Sequence, residues 1–314
     1  MKTIKYLVAI IMLLLPLLGE AQPPQKDIPL TVRAIKSYQT NLDASIALSD
    51  SACMHAPEKN HPYAWYTRAF LYKEKFKQTD SSNTQSAWRE TSLSSLRKSM
   101  ELDRSGEYKD QMRTLLDYLS KSYYTQLTQC LDYFTPEQEQ ECHMLWLKYQ
   151  ETQEMLQNQG KLAKEARDFY FTLADKHMEL YQRNAVAYEK HLHKAYDCYA
   201  NMLKLDSADY KANYNIAIYY YNQGVNIISG FNENTSLEEM ITLQEKCIAL
   251  FRQSLPYMQK AQELRPDRQE TLKGLYIIYR ALSEEDKSFF YKTELEKLIK
   301  SGGTNPLKWE NKDE

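Results

Sequence analysis

Residues 213–224 read NYNIAIYYYNQG, with three consecutive tyrosines in a 314-residue chain that is 43% hydrophobic and 26% charged. On a helix at 100° per residue, Asn213, Ile216, Ala217, Tyr220 and Gly224 fall within one arc of roughly 100°. Tyr214, Ile218 and Tyr221 form an adjoining stripe continued by Val225, while Tyr219 sits opposite, beside Asn215 and Asn222. Together the two stripes cover about half the circumference, wider than one neighbouring helix needs. One stripe therefore fits a partner helix and the other faces a second helix or a groove. The three tyrosines are expected in three environments rather than one cluster.

The rest of the chain has the same helical character. Only 8 glycines and 10 prolines occur, too few for a hairpin-rich β fold, and Leu, Ala, Glu, Gln and Lys are abundant. Helices are predicted near 30–54, 61–76, 84–102, 107–133, 136–158, 161–182, 185–205, 209–229, 236–264, 268–281 and 284–299. Thr135-Pro-Glu-Gln138 and Ser236-Leu-Glu-Glu239 read as N-terminal capping sequences. The polar stretches at 77–86 and 229–236 read as loops, and KEARD (164–168) as solvent-facing surface.

At the N-terminus, Lys2 and Lys5 precede an apolar run from Leu7 to Leu18 and a Gly19-Glu20-Ala21 cleavage site. The run is shorter than the roughly 20 residues a membrane span needs, so 1–21 is expected to be a signal peptide and the protein exported, to the periplasm or outer membrane. Residues 22–29 read as a linker and 301–314 as a polar tail. Without 1–21 the chain keeps 38 basic and 41 acidic side chains, so neither a nucleic-acid footprint nor a polybasic membrane patch is present. Of the five cysteines, Cys130 and Cys142 flank a turn that could bring them together, but buried free thiols are the expectation.

Eleven helices with short breaks suggest an array, and the spacing within them resembles the tetratricopeptide repeat. Asn213-x-x-Ile216-Ala217-x-x-Tyr220 and Trp65-x-x-Arg68-Ala69-x-x-Tyr72 are similar to the first half of that repeat. Leu272-x-x-Leu275-Tyr276-x-x-Tyr279 opens a final one. Ser92-x-x-x-Leu96, Ala195-x-x-x-Tyr199 and Ser254-x-x-x-Met258, each followed by a polar helix end, are similar to the second half. The pattern departs at Arg68, Asn213 and Tyr276, and Tyr276 stands where a small residue is usual. Between the half-repeats, 11 residues (72 to 92) and 25 (220 to 254) exceed the family spacing of about nine. The resemblance implies an all-α solenoid of antiparallel pairs over 30–300, a lone helix (30–54) followed by five pairs.

Arrays of this kind line a concave face with the first helix of each pair. By position, that face would carry Tyr66, Phe70 and Lys73, then Tyr214, Ile218 and Tyr221, then Lys273, Ile277 and Arg280. Aromatics with a polar tip suit an extended peptide or a docked helix, although inserted segments could cover the face. A carboxylate clamp of Lys and Asn is matched only by Lys273. His177, His191 and His193 read as surface polar residues and His143 as diverging from Cys142, so no metal site or cofactor is expected. No nucleophile elbow, phosphate loop or zinc-protease pattern occurs. The expected function is a non-enzymatic scaffold or adaptor for an unidentified envelope protein or peptide. The alternative is a carbohydrate-binding component of outer-membrane nutrient uptake with similar helices.

Overall fold

A computed structural model describes residues 28–233 and 235–302. The expected signal peptide (1–21), most of the expected linker (22–29) and nearly all of the expected tail (301–314) lie outside these. Among the described residues, regular structure is helical throughout apart from turns. The order is α1 (Leu30–Ser37), α2 (Leu42–Met54), a short 3-10 turn (Glu58–Asn60), α3 (Pro62–Thr79), α4 (Ala87–Leu102), α5 (Lys109–Asp132) and α6 (Glu139–Met155). Then follow α7 (Gln159–Arg183), α8 (Glu189–Leu205), α9 (Tyr210–Ser229), α10 (Leu237–Leu264), α11 (Gln269–Ala281) and α12 (Glu285–Lys300). The chain divides into two compact units, Met1–Ser122 and Tyr123–Glu314, the division falling inside α5.

In the first unit, the helix expected at 30–54 is two helices. Asn41 caps α2, its side chain accepting from the Ala44 amide at 3.0 Å, and Thr40 Oγ1 donates to the Ser37 carbonyl at 2.9 Å. Such side chains offer the backbone an alternative to continued helix, and here it wins. The Ser37 and Ser45 hydroxyls then join α1 to α2 at 2.7 Å, so the expected lone helix is a hairpin. Glu58 caps α1 from a distance, accepting from the Leu30 and Thr31 amides at 2.8 and 3.0 Å.

The α3/α4 pair shows how the hairpins are registered. Ser92 Oγ donates to the Ala69 carbonyl at 2.7 Å, and Ser99 Oγ to the Pro62 carbonyl at 2.8 Å. Seven steps forward on one helix match seven back on the other, which makes the pair antiparallel. Arg68, a departure from the repeat pattern, is held by Asp50 at 2.7 Å and Ser95 at 2.6 Å and lies over the Tyr72 ring.

The second unit repeats the device. Cys247 Sγ donates to the Gly224 carbonyl at 3.4 Å and Ser254 Oγ to Ala217 at 2.7 Å, again with matched seven-residue steps. In α11/α12, Ser288 Oγ donates to the Tyr276 carbonyl at 3.1 Å, so the ring at 276 does not prevent close approach. These serine-to-carbonyl bonds span 23, 37 and 12 residues. Taking the shortest as the unexpanded hairpin, the others carry 11 and 25 extra residues, the two insertions counted in the sequence. Longer helices absorb most of them; α10 has 28 residues.

Packing runs along the chain, consecutive helices touching from α1 to α4 in the first unit and from α6 to α12 in the second, and first helices of neighbouring pairs meet, α1 with α3 and α9 with α11. The result is an all-α, tetratricopeptide-like arrangement of hairpins. Buried Ala, Leu and aromatic side chains from both helices of a pair form its core. Ser236 and Glu239 form the complete capping box on α10. At Thr135 the expected cap becomes a turn ahead of α6, where Gln138 Oε1 accepts from the Thr135 amide at 3.2 Å. Cys130 and Cys142 are disulfide-bonded, correcting the free-thiol expectation; Cys53, Cys198 and Cys247 are free and buried. The KEARD face is not simply solvated either. Glu165 accepts from the Tyr149 hydroxyl at 2.6 Å, and Arg167 pairs with buried Asp209 at 2.5 Å.

Candidate functional site

The stripe Tyr214, Ile218 and Tyr221 forms one wall of a concave pocket of about 730 Å³ in the second unit. Lys273 and Ile277 of α11 form the facing wall, Met258 of α10 lies at the base, and Leu295 and Ile299 of α12 close the far side. The helices come close enough because α11 carries Gly274, where a Cβ would stand 2.5 Å from Met258 Cε. Substituting a side chain there would need Met258 to move, so glycine sets the depth of the pocket.

Polar groups are concentrated at one end. Glu270 accepts through Oε1 from the Tyr210 hydroxyl at 2.9 Å and from Arg268 Nε at 2.7 Å. Its other oxygen, Oε2, is buried with no hydrogen-bond partner, and the side chain is only 9% exposed. Burial first, and the Glu270 carboxylate second, raise the Tyr214 and Tyr210 phenols above their ordinary range, so both are neutral hydroxyls. The pocket is therefore walled by aliphatic and aromatic side chains, with the Glu270 carboxylate buried at its polar end.

The residues expected on a concave face are distributed unequally. Tyr214, Ile218, Tyr221, Lys273 and Ile277 line this pocket, while Arg280 is exposed outside the lining. Tyr66, Phe70 and Lys73 lie in the first unit among other side chains. Tyr66 stacks on Tyr63, Phe70 meets Tyr38 edge-on at 5.3 Å, and Lys73 sits over the Phe70 and Tyr118 rings and pairs with Glu74. Glu270, Met258, Leu295 and Ile299 were not anticipated. Leu295 and Ile299 stand four apart on α12, a signal visible in the sequence, whereas nothing local marks Glu270.

The consecutive tyrosines resolve differently from the expectation of three separate environments. Tyr219 stacks on Tyr196 at 4.5 Å and bonds His193, and Tyr220 also meets Tyr196, hydroxyl to hydroxyl at 2.9 Å. Tyr221 alone turns to the pocket and Phe251. Asn213, where an aromatic is usual, is buried and donates to the Ser207 and Asp209 carbonyls, fixing the start of α9.

His177 and His191, expected at the surface, are 1% and 0% exposed. Their Nδ1 atoms stand 2.9 Å apart, and with Glu139 they form a three-residue cluster of potential ligand atoms. Sequence reasoning missed this because the two residues lie on different helices, α7 and α8, and each was judged only against its own neighbours.

No family model matches the chain, and no curated protein matches it. Among solved structures it is similar to a monomeric IFIT1 mutant with Gppp-AAAA, at 15% identity and TM-score 0.30, over 86% of this chain and 48% of that one. A second monomeric IFIT1 mutant, with m7Gppp-AAAA, is 14% identical at TM-score 0.30, over 95% and 54%. The TPR2AB-domain:pHSP90-complex of yeast Sti1 is 14% identical at TM-score 0.26, over 87% and 90%. The chain spans about half the length of the two IFIT1 chains. The assignment of the fold rests on the interhelical bonds described above.

Proposed function

We propose that this protein is a non-enzymatic interaction scaffold whose second unit binds a peptide segment in the pocket between α9, α11 and α12. The observation that carries this reading is Glu270 Oε2, a buried acceptor with no partner at the end of an apolar-walled pocket. Leaving such a group unsatisfied costs about 1–3 kcal/mol. A ligand that brings an N–H or ammonium donor to Glu270 and an aliphatic or aromatic side chain to Ile218, Ile277 and Leu295 would offset that cost and bury apolar surface. A peptide has both features. The aliphatic lining argues against a sugar, whose hydroxyls need several polar partners.

The export expected from residues 1–21 and the Cys130–Cys142 bridge together favour an oxidising compartment, and the envelope is the proposed location. The test is fluorescence polarisation against a library of short peptides pairing a hydrophobic residue with a flanking Lys, Arg or free amino terminus. Tyr214→Ala/Tyr221→Ala and Glu270→Gln should each weaken the best binders about tenfold or more, while Tyr66→Ala should leave them unchanged. Equal binding by all four proteins would place the ligand elsewhere. A glycan-array signal lost with the same pocket variants would transfer the pocket to sugar recognition.

A further inference from the structure

The Glu139, His177 and His191 cluster lies apart from the pocket and has no part in the proposed peptide binding. Its three members come from three successive helices of the second unit, Glu139 at the start of α6, His177 on α7 and His191 on α8. Their ligand atoms lie within 4.8 Å of one another. Aromatic side chains surround the two imidazoles: Phe134 meets His177 edge-on at 5.4 Å and Tyr188 meets His191 at 5.6 Å.

As a purely structural device the histidine pair is poorly satisfied. Its hydrogen bonding consists of the single Nδ1 to Nδ1 contact at 2.9 Å. His191 Nε2 is buried without a partner, and His177 Nε2 stands 3.7 Å from Glu139 Oε1, too far for a hydrogen bond. Buried polar groups in folded proteins are almost always paired, so converging nitrogens sharing one bond call for another explanation. A neutral imidazole carries one N–H and one lone pair, so each ring has a nitrogen to give to a cation. Glu139 brings its carboxylate to the same cluster, one oxygen within 4.8 Å of the histidine ligand atoms, while Lys194 pairs with Oε2.

We propose that Glu139, His177 and His191 form a binding site for a divalent transition-metal cation of the zinc type, tying α6, α7 and α8 together. Two imidazoles and a carboxylate are a donor set that zinc accepts, with the fourth position open to water. On a tetrahedral ion with bonds of about 2.0–2.1 Å, two ligand nitrogens stand about 3.3–3.4 Å apart. The Nδ1 contact would have to open by only about half an ångström from its 2.9 Å. Lys194 stays on Oε2 as an outer partner that orients the carboxylate. The cation replaces a half-satisfied hydrogen-bond pair by three bonds that link α6, α7 and α8.

The test uses the full chain, stripped with chelator and titrated with Zn²⁺ by calorimetry, with Mg²⁺ as the control. Co²⁺ in place of Zn²⁺ reports geometry by its visible absorption. One Zn²⁺ per chain, tetrahedral Co²⁺ bands and a melting temperature raised by Zn²⁺ are expected. His177→Gln, His191→Gln and Glu139→Gln should each weaken Zn²⁺ binding about tenfold or more, and His193→Gln should not. Glu139 is partly exposed, so its variant keeps the comparison available if a buried substitution unfolds the chain. Absence of Zn²⁺ binding by the wild-type chain would overturn the proposal and leave only an interhelical histidine pair. So would binding of unchanged strength in Glu139→Gln and whichever histidine variants fold, because the ion would then sit on other ligands.

Discussion

Two glycines in the second unit face bulky sulfur or aromatic groups at nearly the same distance, yet replacing them with alanine should have opposite effects. A Cβ at Gly224 would stand 2.6 Å from Phe251 Cε1 and 2.9 Å from Cζ. At Gly274 it would stand 2.5 Å from Met258 Cε and 2.7 Å from Sδ. Ordinary carbon contacts lie near 3.5–4.0 Å, so each neighbour must retreat by about 1 Å. Phe251 is a rigid ring, 2% exposed and packed on Tyr221 at 5.5 Å, and it cannot retreat without moving α9 from α10. Met258 ends in a flexible thioether beside the 730 Å³ pocket and can swing into it. Both positions are helical, so alanine gains about 1 kcal/mol of helix propensity. Against that, overpacking costs about 1–3 kcal/mol where the neighbour is fixed. Gly224→Ala should therefore lose up to about 2 kcal/mol. Gly274→Ala should be neutral or gain up to about 1 kcal/mol while narrowing the peptide pocket. Urea denaturation of both variants decides the matter. If Gly224→Ala stabilises as much as Gly274→Ala, the close α9/α10 approach and the reasoning from it are wrong.

Other outcomes follow from the same contacts. Ser92→Ala and Ser254→Ala should each cost about 1 kcal/mol in urea melts and add when combined, because they remove equivalent bonds from separate hairpins. For Glu58, burial pushes the carboxyl up, but hydrogen bonds from Thr31 and Leu30 outweigh it and hold it below its ordinary value. Its contribution is then complete above the unfolded pKa of about 4.3 and is lost as pH falls through the folded value. Wild type and Glu58→Gln should converge in stability below that window and separate above it. Reducing the Cys130–Cys142 bridge, 12 residues apart, should lower stability by about 3 kcal/mol in urea melts. Burial pushes the Cys53 and Cys198 thiols up to about 12, so a thiol reagent at pH 8 should label neither in the native protein and both after unfolding.

Much of the architecture was legible in the residues from 61 onward. Helical periodicity and the repeat spacing around Ala69, Ala217, Ser92 and Ser254 are written along the chain, so they revealed the helix pairs and both insertions. Tyr276 shows the limit of that reading. A ring where a small residue is usual would either widen the helix pair or need a reciprocal gap; the approach is set by Ser288 reaching the Tyr276 carbonyl, and the ring is only half-buried. The break at Asn41 was likewise encoded nearby, but a short polar turn is hard to tell from one turn of an amphipathic helix.

What the chain's local pattern determined was which faces of each helix are apolar. Only the tertiary structure decided what lies against each face. Tyr66, Phe70 and Lys73 share their spacing with Tyr214, Ile218 and Tyr221, yet Tyr38 and Tyr118 meet the first set while the second set lines a pocket. Burial of His177 and His191 and the lone acceptor at Glu270 arise the same way, from residues 14 to 60 positions away. A helix's own periodicity records its need for a neighbour but not which neighbour satisfies it, and recognition depends on the second.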